Sequence, residues 1–212
     1  MQQEYLNVYE KYHDLLETLK LIVKETETRV INDNDILFSS VHVNFFSRSY
    51  IVNLCTYLES YLIEIATKLF ERHCACINQY RVPRVFVSAS FNSWKNFDKK
   101  HCESSINNID FFVSPTKENI EEFFDCNKIS GNIKKTFNVF ELLGVELANV
   151  VRDKPIKDQI TAIVNKRNDI IHRNDDAIDI SLSDISQYIE TVDNYMSTIK
   201  DGIINSIYIT NN

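Results

Sequence analysis

The sequence predicts an all-α protein, a helical bundle with one irregular insertion. Three observations lead there. Glycine and proline number only three each in 212 residues, well below average usage, so few tight turns are encoded. Apolar residues recur at i, i+3, i+4 and i+7 through most of the chain, the period of an amphipathic helix. Hydrophobic content of 44% and charged content of 25% are those of an ordinary folded domain. The length fits one domain, residues 1–212, large enough to bury a core without disulfides or metals.

Residues 3 to 28 form the first expected helix, with Leu6, Tyr9, Leu15, Leu16, Leu19 and Val23 at helical spacing. INDNDIL ends it with turn-forming Asn and Asp. A longer helix follows from about Val41 to Ile77, free of glycine and proline. Leu54, Leu58, Tyr61, Leu62 and Ile65 make its apolar face, while Asn53, Thr56, Ser60 and Glu64 make the wet one. Residues 80–114 are less regular and constitute the insertion. YRVPRVFVSASF alternates like a short extended piece, and the following polar stretch suits a loop with a short helix. Ser114 and Pro115 begin another helix, with proline at its first position and acids in its early turns. Lys128 to Val151 is a helix or helix pair, and Asp153 to His172 is the next helix. NDDAIDI turns the chain, and Ser181 with Asp184 three residues on resembles a capping box, Asp replacing the usual Glu. The last helix, Asp184 to about Ile207, buries Ile185, Tyr188, Ile189, Val192, Met196, Ile199 and Ile203.

The net charge of −7 argues against a protein coated in positive charge for non-specific nucleic-acid binding. It leaves room for a local basic cleft. No apolar run reaches the roughly 18 residues of a membrane span, and the amphipathic, acid-containing N-terminus is neither signal nor transit peptide. No membrane partner is therefore expected. Five cysteines, Cys55, Cys74, Cys76, Cys102 and Cys126, leave one unpaired, and reduced thiols in a cytoplasm are the simplest reading.

Several chemistries lack their residues. HCAC at 73–76 and HC at 101–102 supply ligand types, but not the paired spacings of zinc modules. Free cysteines are commonly just buried, so no metal is expected. Three glycines cannot build a phosphate loop, there is no G-x-S-x-G elbow, and His13 and His42 stand isolated. No cofactor is called for.

One stretch remains, VNKRNDIIHRND, residues 164–175. At about 100° per residue, Arg167 falls in the middle of an apolar stripe of Ile160, Ile163, Val164, Ile170 and Ile171. A guanidinium placed there needs a partner: a carboxylate, a second chain or a phosphate. Glu59, at the border of the long helix's apolar face, is one such carboxylate. His172 suits a helix C-terminus simply as a cation favourable to the dipole. Positions i and i+5 lie about 140° apart on a regular helix, so Arg167 and His172 converge only if the helix deforms or if two copies combine. A two-fold dimer would bring two of each into one groove.

RNDIIH, residues 167–172, resembles the R-x(4–6)-H motif of HEPN domains, with a polar residue after the arginine. These are small all-helical domains, many of them metal-independent ribonucleases of bacterial toxin–antitoxin and anti-phage systems. Their motif lies near the end of a late helix and faces a dimer cleft. RSYIVNLCTYLESYLIEIA resembles the aromatic-rich early helix of free-standing HEPN proteins, which often carries a Glu beside a Tyr or Trp. The middle of the chain has no counterpart. The resemblance implies a HEPN-like bundle with Arg167 and His172 as the catalytic pair, Asn168 as the supporting polar residue, and Glu59 and Asp169 as further support. It also implies an RNA substrate, a homodimer and a partnering antitoxin or defence-system protein. Some toxins of this group carry a tyrosine two residues after the histidine, which a partner nucleotidyltransferase adenylylates. This chain has Asn174 there, which puts silencing by that route in doubt.

The implied chemistry is coherent. RNA brings its own nucleophile, the 2′-OH, so no metal-activated water is required. Histidine transfers protons near neutral pH. Arginine offers a planar fork to the phosphate as negative charge develops. Two other readings compete: a non-catalytic HEPN-like module that binds a nucleotide or a protein, and a helical adaptor unrelated to HEPN.

Overall fold

A computed structural model describes residues 2–32, 38–77, 129–173 and 177–209. The insertion at 80–114, the helix start at Ser114 and Pro115, and His101, Cys102, Cys126 and Asn174 lie outside the described residues, as do the side chains of Cys74 and Cys76.

The described residues form six helices and no strand: α1 (Gln2–Ile31), α2 (Ser40–Ile77), α3 (Ile133–Leu142), α4 (Leu147–Val150), α5 (Lys154–Arg173) and α6 (Leu182–Ile209). The all-α expectation holds. Helix α2 is the central element, packed against α1, α5 and α6, and α1 and α6 also pack on each other. All five residues of its predicted apolar face are buried. Each such aliphatic or aromatic side chain contributes about 1.5–3 kcal/mol on full burial.

The buried stripe of α1 is Tyr5, Val8, Tyr12, Leu16, Leu19, Val23 and Thr26. Leu6, Tyr9 and Leu15, which share the helical spacing, lie on its half-buried rim. Two tyrosines of that stripe, Tyr5 and Tyr12, bury their rings in the core. Tyr12 packs edge-on against Tyr61 and donates its hydroxyl proton to Glu64 at 2.9 Å. Tyr61 in turn donates to the Met196 carbonyl at 2.7 Å, a buried stitch between α2 and α6.

The 128–151 segment resolves into the helix pair α3 and α4. Asn132 caps α3 by accepting from the Lys135 amide at 3.1 Å. Gly144 ends it with φ of 79°, a left-handed turn that glycine enters without steric cost. The capping box at α6 forms as the sequence predicts. The Ser181 amide donates to Asp184 Oδ2 at 2.8 Å, and the Asp184 amide donates to Ser181 Oγ at 3.0 Å.

Candidate active site

The site grows from the contact between α2 and α5. The Cys55 thiol donates to the Ile163 carbonyl at 3.9 Å, and the Arg167 guanidinium donates through Nη2 to Glu59 Oε1. Both pairs are separated by 108 residues. A constant offset means that the two helices run in the same direction, in register. Arg167 does occupy the stripe that buries Ile160, Ile163, Val164 and Ile170, and its partner within the chain is the carboxylate the sequence singled out. The ion pair sits at the edge of the core, with side-chain exposures of 17% for Arg167 and 28% for Glu59.

A third element joins it. The Gly131 amide donates to the same oxygen, Glu59 Oε1, at 3.2 Å. Nothing in the helical periodicity pointed to Gly131. Its available signal was the run Ser130-Gly131-Asn132, turn residues immediately before a helix start. Below the pair, burial pushes the Cys55 thiol up to about 12 despite the nearby guanidinium. Cys55 is thus a neutral core group.

His172 lies five residues beyond Arg167 on the same helix, exposed to solvent. Helix α5 runs unbroken from Lys154 to Arg173, so the two side chains project about 140° apart within one chain. Asn168 is half-buried beside Arg167. Asp169 pairs with Arg173 one turn on, at 3.1 Å, so it serves the helix end rather than Arg167. Lys166 reaches Asp179, on the turn before α6, at 2.5 Å. The last turns of α5 therefore concentrate Lys166, Arg167, His172 and Arg173 in a chain of net negative charge, and cations there suit the negative end of the helix dipole.

Ile171, counted in the apolar stripe, is 51% exposed. The α2–α5 register places it opposite Ile63, again 108 residues earlier, which is 42% exposed. An apolar pair thus lies at the surface one turn beyond the Glu59–Arg167 contact.

The other described histidines have structural partners. His73 Nε2 donates to the Leu143 carbonyl at 2.7 Å, tying α2 to the end of α3, and burial lowers its pKa. His42 contacts Ser39 Oγ at 3.1 Å. His13, expected to stand isolated, pairs with Asp193 of α6 at 2.9 Å. Among the described residues no group of three or more His, Cys, Asp or Glu side chains is arranged to hold a metal. No described helix is long and apolar enough to cross a membrane.

The family model described as RiboL-PSP-HEPN matches residues 9–205. No curated protein and no solved structure matches the chain.

Proposed function

The chain belongs to the RiboL-PSP-HEPN family, and on that premise we propose that it is a metal-independent endoribonuclease acting as a homodimer in a toxin–antitoxin or anti-phage, abortive-infection system. The observation that carries this reading is the placement of RNDIIH. Its arginine is held on a carboxylate at the seam of two helices, and its histidine stands in solvent at the helix end. Arg167 binds the scissile phosphate with the donors not committed to Glu59, while His172 of the partner subunit moves the proton. Glu59 sets the direction of the guanidinium, and Asn168 supports the phosphate side of the site. The 2′-OH gives up its proton as it attacks phosphorus, the P–O5′ bond breaks, and the leaving oxygen takes up a proton. A 2′,3′-cyclic phosphate results. The protein works in the cytoplasm, where its RNA substrate and a silencing partner protein reside.

Two copies are required because Arg167 and His172 diverge on an undeformed helix. The exposed pair Ile63 and Ile171 supplies an apolar patch beside the site for the second copy to cover.

The test is incubation of the purified protein with total cellular RNA, with and without EDTA, alongside the His172→Ala protein. The expected result is cleavage that survives EDTA, leaves 2′,3′-cyclic phosphate or its hydrolysis products, and is absent with His172→Ala. Strict Mg²⁺ dependence with 3′-hydroxyl products would sink the mechanism. A second reading, a non-catalytic nucleotide- or protein-binding module, draws on the internal pairing of Arg167 with Glu59. It predicts binding without cleavage under every condition.

A further inference from the structure

Residues 129–132 lie over the seam where α2 meets α5, and touch both. On the α2 side the Gly131 amide donates to Glu59 Oε1 at 3.2 Å. On the α5 side a Cβ placed on Gly131 would lie 2.6 Å from Val164 Cγ2 and 3.4 Å from Cγ1. Val164 is one turn before Arg167. The backbone of Gly131 is outside the left-handed region, so glycine is required here for close approach and not for its φ. Gly131 is itself buried, between a carboxylate it must reach and a valine it must not strike.

We infer that Gly131 is a positioning residue for the Arg167–Glu59 pair: its N–H fixes the carboxylate that aims the guanidinium, and only a residue without a side chain lets the backbone come close enough. The catalytic consequence rests on the ribonuclease reading. The physical grounds are these. The terminal torsion of a glutamate is broad and nearly two-fold, so one contact with a flexible arginine leaves both groups free to swing together. A backbone amide is a donor with no side-chain freedom to lose. Placed on the same oxygen, it holds the carboxylate from a second direction.

The turn that delivers this amide is fixed independently of Glu59. Buried Thr136 donates its hydroxyl proton to the Ser130 carbonyl at 2.5 Å. The Asn132 amide donates to Ser130 Oγ at 3.3 Å, and Asn132 Oδ1 caps α3. Ile129, just before the turn, is buried in the core. The amide of Gly131 is therefore presented to Glu59 by a pre-formed loop, the condition for a positioning contact to act on geometry.

The experiment compares four full-length proteins: wild type, Gly131→Ala, Val164→Ala and the double variant. Each is assayed for RNA cleavage rate and melting temperature. Gly131→Ala should cut RNA about 10- to 100-fold more slowly, the cost of a displacement of roughly 1 Å, with the loss in kcat rather than KM. Val164→Ala should cleave close to the wild-type rate. The double variant makes room for the new methyl group and should recover most of the activity. A folded Gly131→Ala protein with wild-type cleavage, or a double variant as slow as Gly131→Ala, would overturn the inference.

A second measurement does not depend on activity or on Gly131→Ala folding. With three glycines in the chain, the Gly131 amide is readily assigned by ¹H–¹⁵N correlation. Glu59→Gln should shift it upfield, as the acceptor loses its charge, and leave Gly144 and Gly202 in place. An unmoved Gly131 signal would also overturn the inference. If the wild-type protein cleaves no RNA, the ribonuclease reading falls, and this measurement still decides whether Gly131 is coupled to Glu59.

Discussion

Arg167 meets Glu59 at the same 108-residue offset that joins Ile163 to Cys55, so the ion pair lies on the register of two parallel helices. That position explains why an arginine is tolerated in an apolar stripe. Its aliphatic stem leaves the helix on the stripe that buries Val164 and Ile170, and its charged head reaches the Glu59 carboxylate at the rim.

Replacing Arg167 therefore has two expected effects. Arg167→Ala abolishes cleavage and also strands a partly buried Glu59, at a cost of about 1–3 kcal/mol. Arg167→Lys keeps the charge but loses the planar fork, so it restores stability better than activity. Melting temperature and RNA cleavage measured together on these variants separate the two roles. Wild-type cleavage by Arg167→Ala would remove the residue from the chemistry.

His172 should behave in the opposite way. It is exposed at the end of α5. His172→Ala should lower the cleavage rate by about 10² to 10⁴ with the melting temperature nearly unchanged. A large fall in melting temperature would mean that the residue serves the fold.

The second copy should be sensitive to the patch beside the site. Ile171→Glu places a charge where an apolar surface is to be covered. It should convert a dimer into a monomer at micromolar concentration by light scattering, and cleavage should fall with it. A wild-type protein that is already monomeric would leave the site without its second half.

Much of this was legible from local pattern. Leu54, Leu58, Tyr61, Leu62 and Ile65 announced the buried face of α2 because period 3.6 survives in any bundle, and Ser181 with Asp184 announced the start of α6 because a capping box is local chemistry. Glu59 could be named as a partner for Arg167 because a guanidinium in the middle of an apolar stripe needs a carboxylate, and Glu59 borders the apolar face of α2. Gly131 could not, because its role depends on Val164 and Glu59, which tertiary packing alone brings to it. Ile171 was misplaced for a related reason. Periodicity gives a face, but at the end of α5 only the flank of that face carrying Ile170 stays buried, while Ile171 is exposed. His13 looked isolated because its partner, Asp193, is 180 residues away.

That His13–Asp193 contact gives the protein a pH-dependent component of stability. It joins α1 to α6, with Tyr9 stacked on the imidazole and donating to the same Asp193 oxygen at 3.1 Å. Glu17 and Asp14 of α1 add negative charge around the ring, and Lys200 of α6 lies over Tyr9. The hydrogen bond to Asp193 is the largest cause of a His13 pKa raised above 6.5. A histidine whose folded pKa exceeds its unfolded value contributes stability that is fully present below the unfolded pKa and lost as pH rises through the folded pKa. The melting temperature should therefore drop as pH is raised from about 6 to about 8 through this group. The imidazole is 38% exposed, which screens the pair and limits its contribution to under about 1 kcal/mol. Burial and Asp193 together push the Tyr9 hydroxyl to about 12, so it does not titrate in this window. Asp193→Asn keeps an acceptor for Tyr9 and removes the charge that holds the proton on His13. Its melting temperature should vary less with pH over that range, converging on the wild-type value at the alkaline end. Equal slopes in the two proteins would show that the contact is geometric only, with no linkage to the charge on His13.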